Sequence, residues 1–310
     1  MEKSKHVKEI KTAKVRWVHL SKNTVREIDY LRQNFKFHPL DLDDCLSPAQ
    51  RPKLDEYESY LFLVMTFPYY DREQREIMAS EVNFFIGPDY LVTVTDGKLL
   101  PLLKFFEQCQ TSDGYREKYL GINPIFLFSE ILDKLQLNLY PILDHIGEEI
   151  NQLQKAIFSG SEKQMVKEIL IIKRNIINFR KIVQAHKNVV RKLIAKKDKF
   201  FIPSNLMVYL ANNLEQSKDI WDTLESLKEN VEALHNTNES LISFRLNDII
   251  KILTIISVIL LPANLIAVTF GMKTAGMPLA NNPYGFWLAV GLMAAVMLSL
   301  ILYFKNKRWL

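Results

Sequence analysis

The spacing of hydrophobic positions changes character along the 310 residues. Between Val15 and Gly97, short apolar runs rich in β-branched and aromatic residues (VRWVHL, YLFLVMTF, VNFFIG, DYLVTVT) alternate with polar or helix-forming pieces such as Thr24 to Asn34 and Leu40 to Leu46. Runs of that length and make-up predict strands, and the alternation predicts an α/β domain with a sheet core. After Leu99 the strand signals stop. Apolar residues then recur at three- and four-residue steps, which predicts helices over Ile125 to Phe158, over Ser161 to Ala195, and onward from Pro203 with Ser204 as a candidate cap. In the last of these, Leu210, Leu214, Trp221, Leu224, Leu227, Val231, Leu234 and Leu241 form one stripe, and neither Gly nor Pro interrupts the chain between Pro203 and Pro262. The stripe runs on into an uncharged segment, so a single stalk helix from Ser204 to Phe270 would be on the order of 100 Å long.

That uncharged segment, Ile252 to Met272, is 21 residues, or about 31 Å of helix, which matches the hydrocarbon thickness of a bilayer. A second run of 21 uncharged residues, Tyr284 to Phe304, carries Tyr284, Trp287 and Tyr303 near its ends, where an aromatic belt belongs. Both read as membrane spans, joined by a short external loop, 273–283. Arg245 and Lys251 precede the first span, and Lys305, Lys307 and Arg308 follow the second. The positive-inside rule therefore places both termini in the cytoplasm of a multi-pass inner-membrane protein. Met1 to Lys14 is basic with no apolar stretch behind it, so no signal peptide is expected. The expected organisation is an α/β cytosolic domain over 1–120, a helical region with the stalk over 121–250, and a two-helix membrane domain over 251–310.

Composition sharpens this picture mainly by its segregation. With 48% hydrophobic and 24% charged residues the chain looks ordinary, which excludes a disordered, collagen-like or disulfide-stapled protein. Nearly all of the charge, however, precedes residue 250. The net charge of +5 is too small to argue for nucleic acid, and the basic stretch Lys187 to Lys199, with Lys173, Arg174, Arg180 and Lys181 before it, suits anionic lipid or acidic neighbours better. Cys45 and Cys109 make no metal-ligand spacing with the histidines and read as reduced thiols. No glycine-rich phosphate loop follows a strand, and the acid pairs Asp43-Asp44 and Glu148-Glu149 read as exposed helix faces, so neither an enzyme nor a bound cofactor is expected.

Two spans cannot enclose a water-filled path, so conduction requires a homo-oligomer with the long helices around a shared axis. The face suited to that axis holds Asn247, Thr254, Ser257 and Asn264, interleaved with Ile250, Leu253, Leu261 and Val268. An amide in hydrocarbon needs a partner or water, so Asn264 either lines a path or bonds a neighbouring helix. Pro262 frees a backbone carbonyl, which suits a bend in a pore helix and equally a kink without function.

Several stretches resemble the CorA family of bacterial magnesium transport proteins, known for a Gly-Met-Asn signature after the first span. His38-Pro39-Leu40 with Asp43-Asp44 and Gln50-Arg51-Pro52-Lys53 are similar to the family's N-terminal motif. Lys251 to Ile256 with Pro262 resembles its first span, and Tyr303-Phe304-Lys305 through Arg308-Trp309-Leu310 its basic ending. The resemblance implies a funnel-shaped homopentamer with magnesium or another divalent cation as the permeant ion. In it Ile250 and Leu253 form a hydrophobic gate, while Asn247, Leu261, Asn264 and Gly271 face the path. Hydrated passage suits magnesium, which sheds its first-shell water reluctantly.

Two departures bear on function. The signature reads Gly271-Met272-Lys273, placing Lys where the family has Asn. Five ammonium groups at an outer mouth would oppose cation entry, unless the side chains splay outward or shed protons. This leaves three readings: a divalent-cation channel with Lys273 turned away, a channel of altered selectivity, or a poorly conducting relative. Second, the stalk positions that align with the family's regulatory acids are Asn212 and Asn236, weak ligands for a hard dication. Asp71 and Glu73 remain as candidate ligands of such a site or as solvated loop acids, and weak magnesium-dependent closing is expected. A zinc-transporting relative within the same superfamily is the alternative. No Asp, Glu or His lies in either span to support proton coupling.

Overall fold

A computed structural model describes residues 5–47, 51–195, 203–272, 283–307 and 309. Its six strands form one mixed sheet: β1 (Val7–Lys11), β2 (Arg16–Leu20), β3 (Lys53–Glu56), β4 (Leu61–Asp71), β5 (Glu76–Ile86) and β6 (Tyr90–Thr95). The spatial order is β1-β2-β6-β5-β4-β3, with β2 and β6 parallel and every other neighbouring pair antiparallel. The four strands expected from apolar runs are the four central ones. The edges β1 and β3 were not expected, because an edge strand needs little apolar sequence: VKEIK is mixed and KLDE nearly all polar. β4 tolerates Pro68 because β3 covers only Leu61 to Val64. The Thr66 carbonyl points away from β5 to accept from His186 Nε2 at 2.6 Å, so the backbone nitrogen of Pro68, two residues on, faces the same unpaired side.

Helices cover both faces of the sheet. α1 (Val25–Asn34) and α2 (Pro39–Leu46) close over Val18, Leu20, Phe62, Phe85 and Val92. On the other face, α3 (Leu100–Thr111), α4 (Asp113–Leu120), α5 (Pro124–Leu137), α8 (His186–Ala195) and the start of α9 (Met207–Gly271) bury Trp17, Leu63, Met65, Phe84 and Leu91. Helices beyond residue 120 thus share the core of the sheet domain. Between α5 and α8, α6 (Tyr140–Phe158) and α7 (Glu162–Val183) form a hairpin around Gly160, whose φ of 103° suits a residue without a Cβ.

Two helices expected to be continuous are each broken. The Ile125 to Phe158 helix divides at Asn138-Leu139, since in a continuous helix the ring of Pro141 would meet the carbonyl of Leu137. The Ser161 to Ala195 helix divides at Gln184-Ala185, and the break delivers His186 to the β4 carbonyl named above. α9, by contrast, runs unbroken for 65 residues, through Pro262. Ser204 opens a 3-10 turn ahead of it; the capping role expected of its side chain falls outside the described residues.

The chain divides into two compact units, residues 1–235 and 236–310. In the first, Leu210, Ile220, Leu224 and Val231 of α9 are fully buried. Gln136 of α5 donates to the Asn213 carbonyl at 3.1 Å and to Ser217 Oγ at 2.6 Å, a buried polar link between the two helices. The second unit holds the remainder of α9 and α10 (Gly285–Asn306). Apolar side chains stand out of these helices: Leu253, Leu261, Leu265, Phe286 and Trp287 are each more than 60% exposed. Surface of that extent is incompatible with water and suits a bilayer.

Candidate functional site

Asn247, Ile250, Leu253, Ser257, Leu261, Asn264, Val268 and Gly271 all lie on α9 and follow one another at steps of three or four residues. At about 100° per residue they occupy an arc of about 120° on one face of the helix. All eight are exposed in the single chain. The covered positions of the same stretch are Lys251, Ile255, Ile259, Pro262, Ala263, Ile266 and Phe270. These fall within an arc of about 120° on the opposite side of the helix. α10 supplies buried Ala289 and Phe304, and the Lys251 ammonium lies 5.9 Å from the Trp309 ring within the same unit. The hairpin therefore uses one side of α9 and leaves the other open.

Polarity on the open face is selective. Thr254 and Ser257 turn their hydroxyls back to the Ile250 and Leu253 carbonyls, at 2.7 and 2.9 Å, and so present mainly carbon outward. The side-chain amides of Asn247 and Asn264 find no partner among the described residues, which leaves them available to water, an ion or a neighbouring chain. Gly271 ends α9 and Met272 follows it. Lys273 and most of the loop 273–283 lie outside the described residues.

The candidates in the first unit are less assembled. Asp71 Oδ1 accepts the backbone N–H groups of Glu73 and Gln74 at 2.9 and 3.1 Å, closing the β4–β5 turn, and Glu73 is exposed beside it. Asn212 donates to Asp133 at 3.4 Å, while Asn236 is exposed on α9. Among the described residues no group of three or more His, Cys, Asp or Glu side chains could hold a metal ion. Of the N-terminal motif, Gln50 lies outside the described residues, and His38 and Lys53 make local contacts. His38 Nδ1 accepts the Leu40 N–H at 3.3 Å to start α2, and Lys53 bridges Asp44 and Asp55 at 2.7 and 2.5 Å. Asp41 is buried and accepts the Tyr57 and Tyr60 hydroxyls at 2.9 and 2.7 Å. Burial pushes its carboxyl pKa up against those two hydrogen bonds.

Sequence reasoning missed how α9 is held by its neighbours. Arg180 of α7 reaches Glu225 at 2.5 Å and lies 4.8 Å over the Trp221 ring. The spacing of Trp221 and Glu225, one helical turn apart, was visible, but nothing local named Arg180 as the partner. Asn175 likewise ties α7 to the β4–β5 hairpin, accepting from the Ile77 N–H at 3.2 Å and donating to the Arg75 carbonyl at 3.1 Å.

Comparison with known proteins agrees with this arrangement. A family model described as CorA-like Mg2+ transporter protein matches residues 12–308. The cobalt/magnesium transport protein CorA of Thermotoga maritima is 26% identical over 278 residues, covering 89% of this chain and 78% of that protein. The magnesium transport protein CorA of Haemophilus influenzae strain KW20 Rd is 27% identical over 279 residues, covering 87% and 84% respectively. Among solved structures, the complete CorA magnesium transporter from Methanocaldococcus jannaschii superposes with a TM-score of 0.85 at 20% identity, over 97% of this chain and 93% of that one. The ZntB cytoplasmic domain from Vibrio parahaemolyticus shares the fold of the soluble part, with a TM-score of 0.61 at 12% identity over 75% and 91% of the two chains. The chain belongs to the family of CorA-like Mg2+ transporter proteins.

Proposed function

We propose that copies of this chain, five by family resemblance, assemble around the open face of α9 to form a pore for hydrated divalent cations, magnesium first, in an inner membrane with both chain ends in the cytoplasm. The observation that carries this reading is the opposition of the two α9 faces: α10 takes one, and the face bearing Asn247 to Gly271 is left for other copies. In a ring of such helices Ile250 and Leu253 line adjacent turns. A hydrated dication cannot shed its water into that apolar collar, so the collar acts as the gate and widening it admits water. Asn247 and Asn264 offer amide oxygens to the ion's water shell on either side of the collar.

The relatives named for magnesium and cobalt transport support magnesium as cargo. Asn212 and Asn236, amides where carboxylates would ligate a hard dication, support weak closing by magnesium. The test is flux of Mg2+, Co2+, Ni2+ and Zn2+ into liposomes carrying the purified protein, with and without a pH gradient. Mg2+ entry independent of the gradient is expected, with a raised leak in Leu253→Asn. Zinc entry driven by protons, with magnesium excluded, would establish the zinc-transporting alternative instead.

A further inference from the structure

α7 packs on α6, β4 and β5 and buries Ile169, Ile172, Ile176 and Phe179 in doing so. A helix that has already turned one apolar side to its own core is expected to be polar on the other. The outer face of α7 is not. Val166, Leu170 and Ile177 stand on it at 38%, 57% and 53% exposure, within an arc of about 40°. Phe158, at the turn of the α6–α7 hairpin, is 64% exposed.

Charge on this face has one sign. Lys163, Lys167 and Lys181 are exposed and fall within about 60° of Leu170 around the helix. Both acids of α7 are turned away: Glu162 is buried, and Glu168 is held by Arg75 at 2.7 Å, about 160° from Leu170. From Asn151 to Ser161 the chain adds Lys155 and no acid. The outer side of the hairpin is therefore an apolar stripe edged by ammonium groups, the make-up of a helix that lies at a membrane surface. A chain with two spans keeps its first unit beside a bilayer, and anionic headgroups complement a face that bears lysines alone. Three stripe residues and one turn phenylalanine fall well short of the roughly 20–30 residues a side of a stable protein interface, which argues against a protein partner or a second copy.

We propose that the α6–α7 hairpin docks on the surface of an anionic bilayer, with Phe158, Val166 and Leu170 at the headgroup boundary and Lys163 and Lys167 among the phosphates. Docking of this kind needs the two spans but not the pore, so its failure would leave the transport reading intact. Ser159→Cys, at the exposed turn, takes a bimane label, while Cys45 and Cys109 are buried and unreactive. The labelled full-length protein is placed in nanodiscs of phosphatidylcholine, alone or in equal parts with phosphatidylglycerol, each with a trace of lipid bearing a nitroxide on its headgroup. Nitroxide quenching then reads the ratio of docked to undocked hairpin. Each lysine at an anionic surface contributes about fivefold, so the two should raise that ratio at least about 25-fold when phosphatidylglycerol is present. The gain should vanish in Lys163→Glu/Lys167→Glu and at high salt. Leu170→Ser, at an exposed position, should lower the ratio by about tenfold, with an unchanged melting temperature showing that the fold persists. Quenching equal in the two lipids, or untouched by the double charge reversal, would overturn the proposal. A label shielded from aqueous iodide without nitroxide quenching would overturn it too, by assigning the face to a neighbouring copy.

Discussion

Mild acid should weaken this protein well before its carboxylates titrate, and two buried histidines set the size of the effect. His186 is wholly enclosed, with Nε2–H donating to the Thr66 carbonyl at 2.6 Å, and burial pushes its pKa down to about 4 despite that hydrogen bond. His19 lies lower still, at about 3. Both folded values are depressed below the unfolded value near 6.5. The unfolded chain therefore gains protons below pH 6.5 that the folded chain refuses, so stability is full above about pH 6.5 and falls with decreasing pH. Each histidine contributes about 1.4 kcal/mol per pH unit in that window, so the pair costs about 4 kcal/mol between pH 7 and pH 5. The raised carboxyls of Asp41 and Glu130 act with the opposite sign. Acid-driven protonation relieves their burial, which makes the limb above pH 5 the clean place to look. Denaturant unfolding of the full-length protein, followed by tryptophan fluorescence at half-unit pH steps, measures this directly. His186→Gln keeps a donor for Thr66 and removes the titration, so it should flatten the slope by about half. A midpoint unchanged from pH 7 to pH 5, or a slope that survives in the variant, would show that these rings are reached by water and protonate in the folded state.

Arg180→Ala should lower the unfolding free energy by about 1–2 kcal/mol, after discounting for the partial exposure of Glu225, because it removes an ion pair and a stacked ring together; full stability in Arg180→Lys would show that charge alone matters. Asn175→Ala leaves the Ile77 N–H and the Arg75 carbonyl without their partner and should cost about 2 kcal/mol or more, detectable as an earlier denaturant midpoint. In the proposed pentamer, five Lys273 ammonium groups about 6 Å from an entering dication would oppose it by about 7 kcal/mol at bulk-water screening. Lys273→Asn is thus expected to raise Mg2+ flux at least tenfold at low salt and less at high salt; indistinguishable fluxes would mean that the side chains turn outward.

The layers of the fold were legible wherever one local rule dominates. Central strands must be apolar on both sides, so YLFLVMTF and DYLVTVT announce themselves. The uncharged 21-residue runs have no soluble use. What stayed hidden depends on partners distant in sequence. Pro141 splits a helix because residue 137 stands one turn behind it, yet the amphipathic pattern carries on across the break. β3 is a strand only because β4 offers it Leu61 to Val64 as a template. Asn175 looks like any helix-surface amide until the β4–β5 hairpin arrives beside it.

The same division governs function. The placement of Asn247 to Gly271 along one face of α9 could be read in advance, because three- and four-residue steps already set them on one arc. Which side of the helix its own chain would cover could not be read, since α10 is apolar nearly all round; the folded hairpin supplies that fact. The cavity beyond the carboxyl ends of β2 and β6, lined by His19 and Phe106, had no signal at all. It exists because His19 and Thr93, 74 residues apart in sequence, are register partners in adjacent parallel strands, and because the helices after those strands happen to part there. A crevice of this kind is a property of topology rather than of motif, so a chain can be placed in its family from membrane spans and signature residues while the layout of its sheet domain is marked by no sequence pattern.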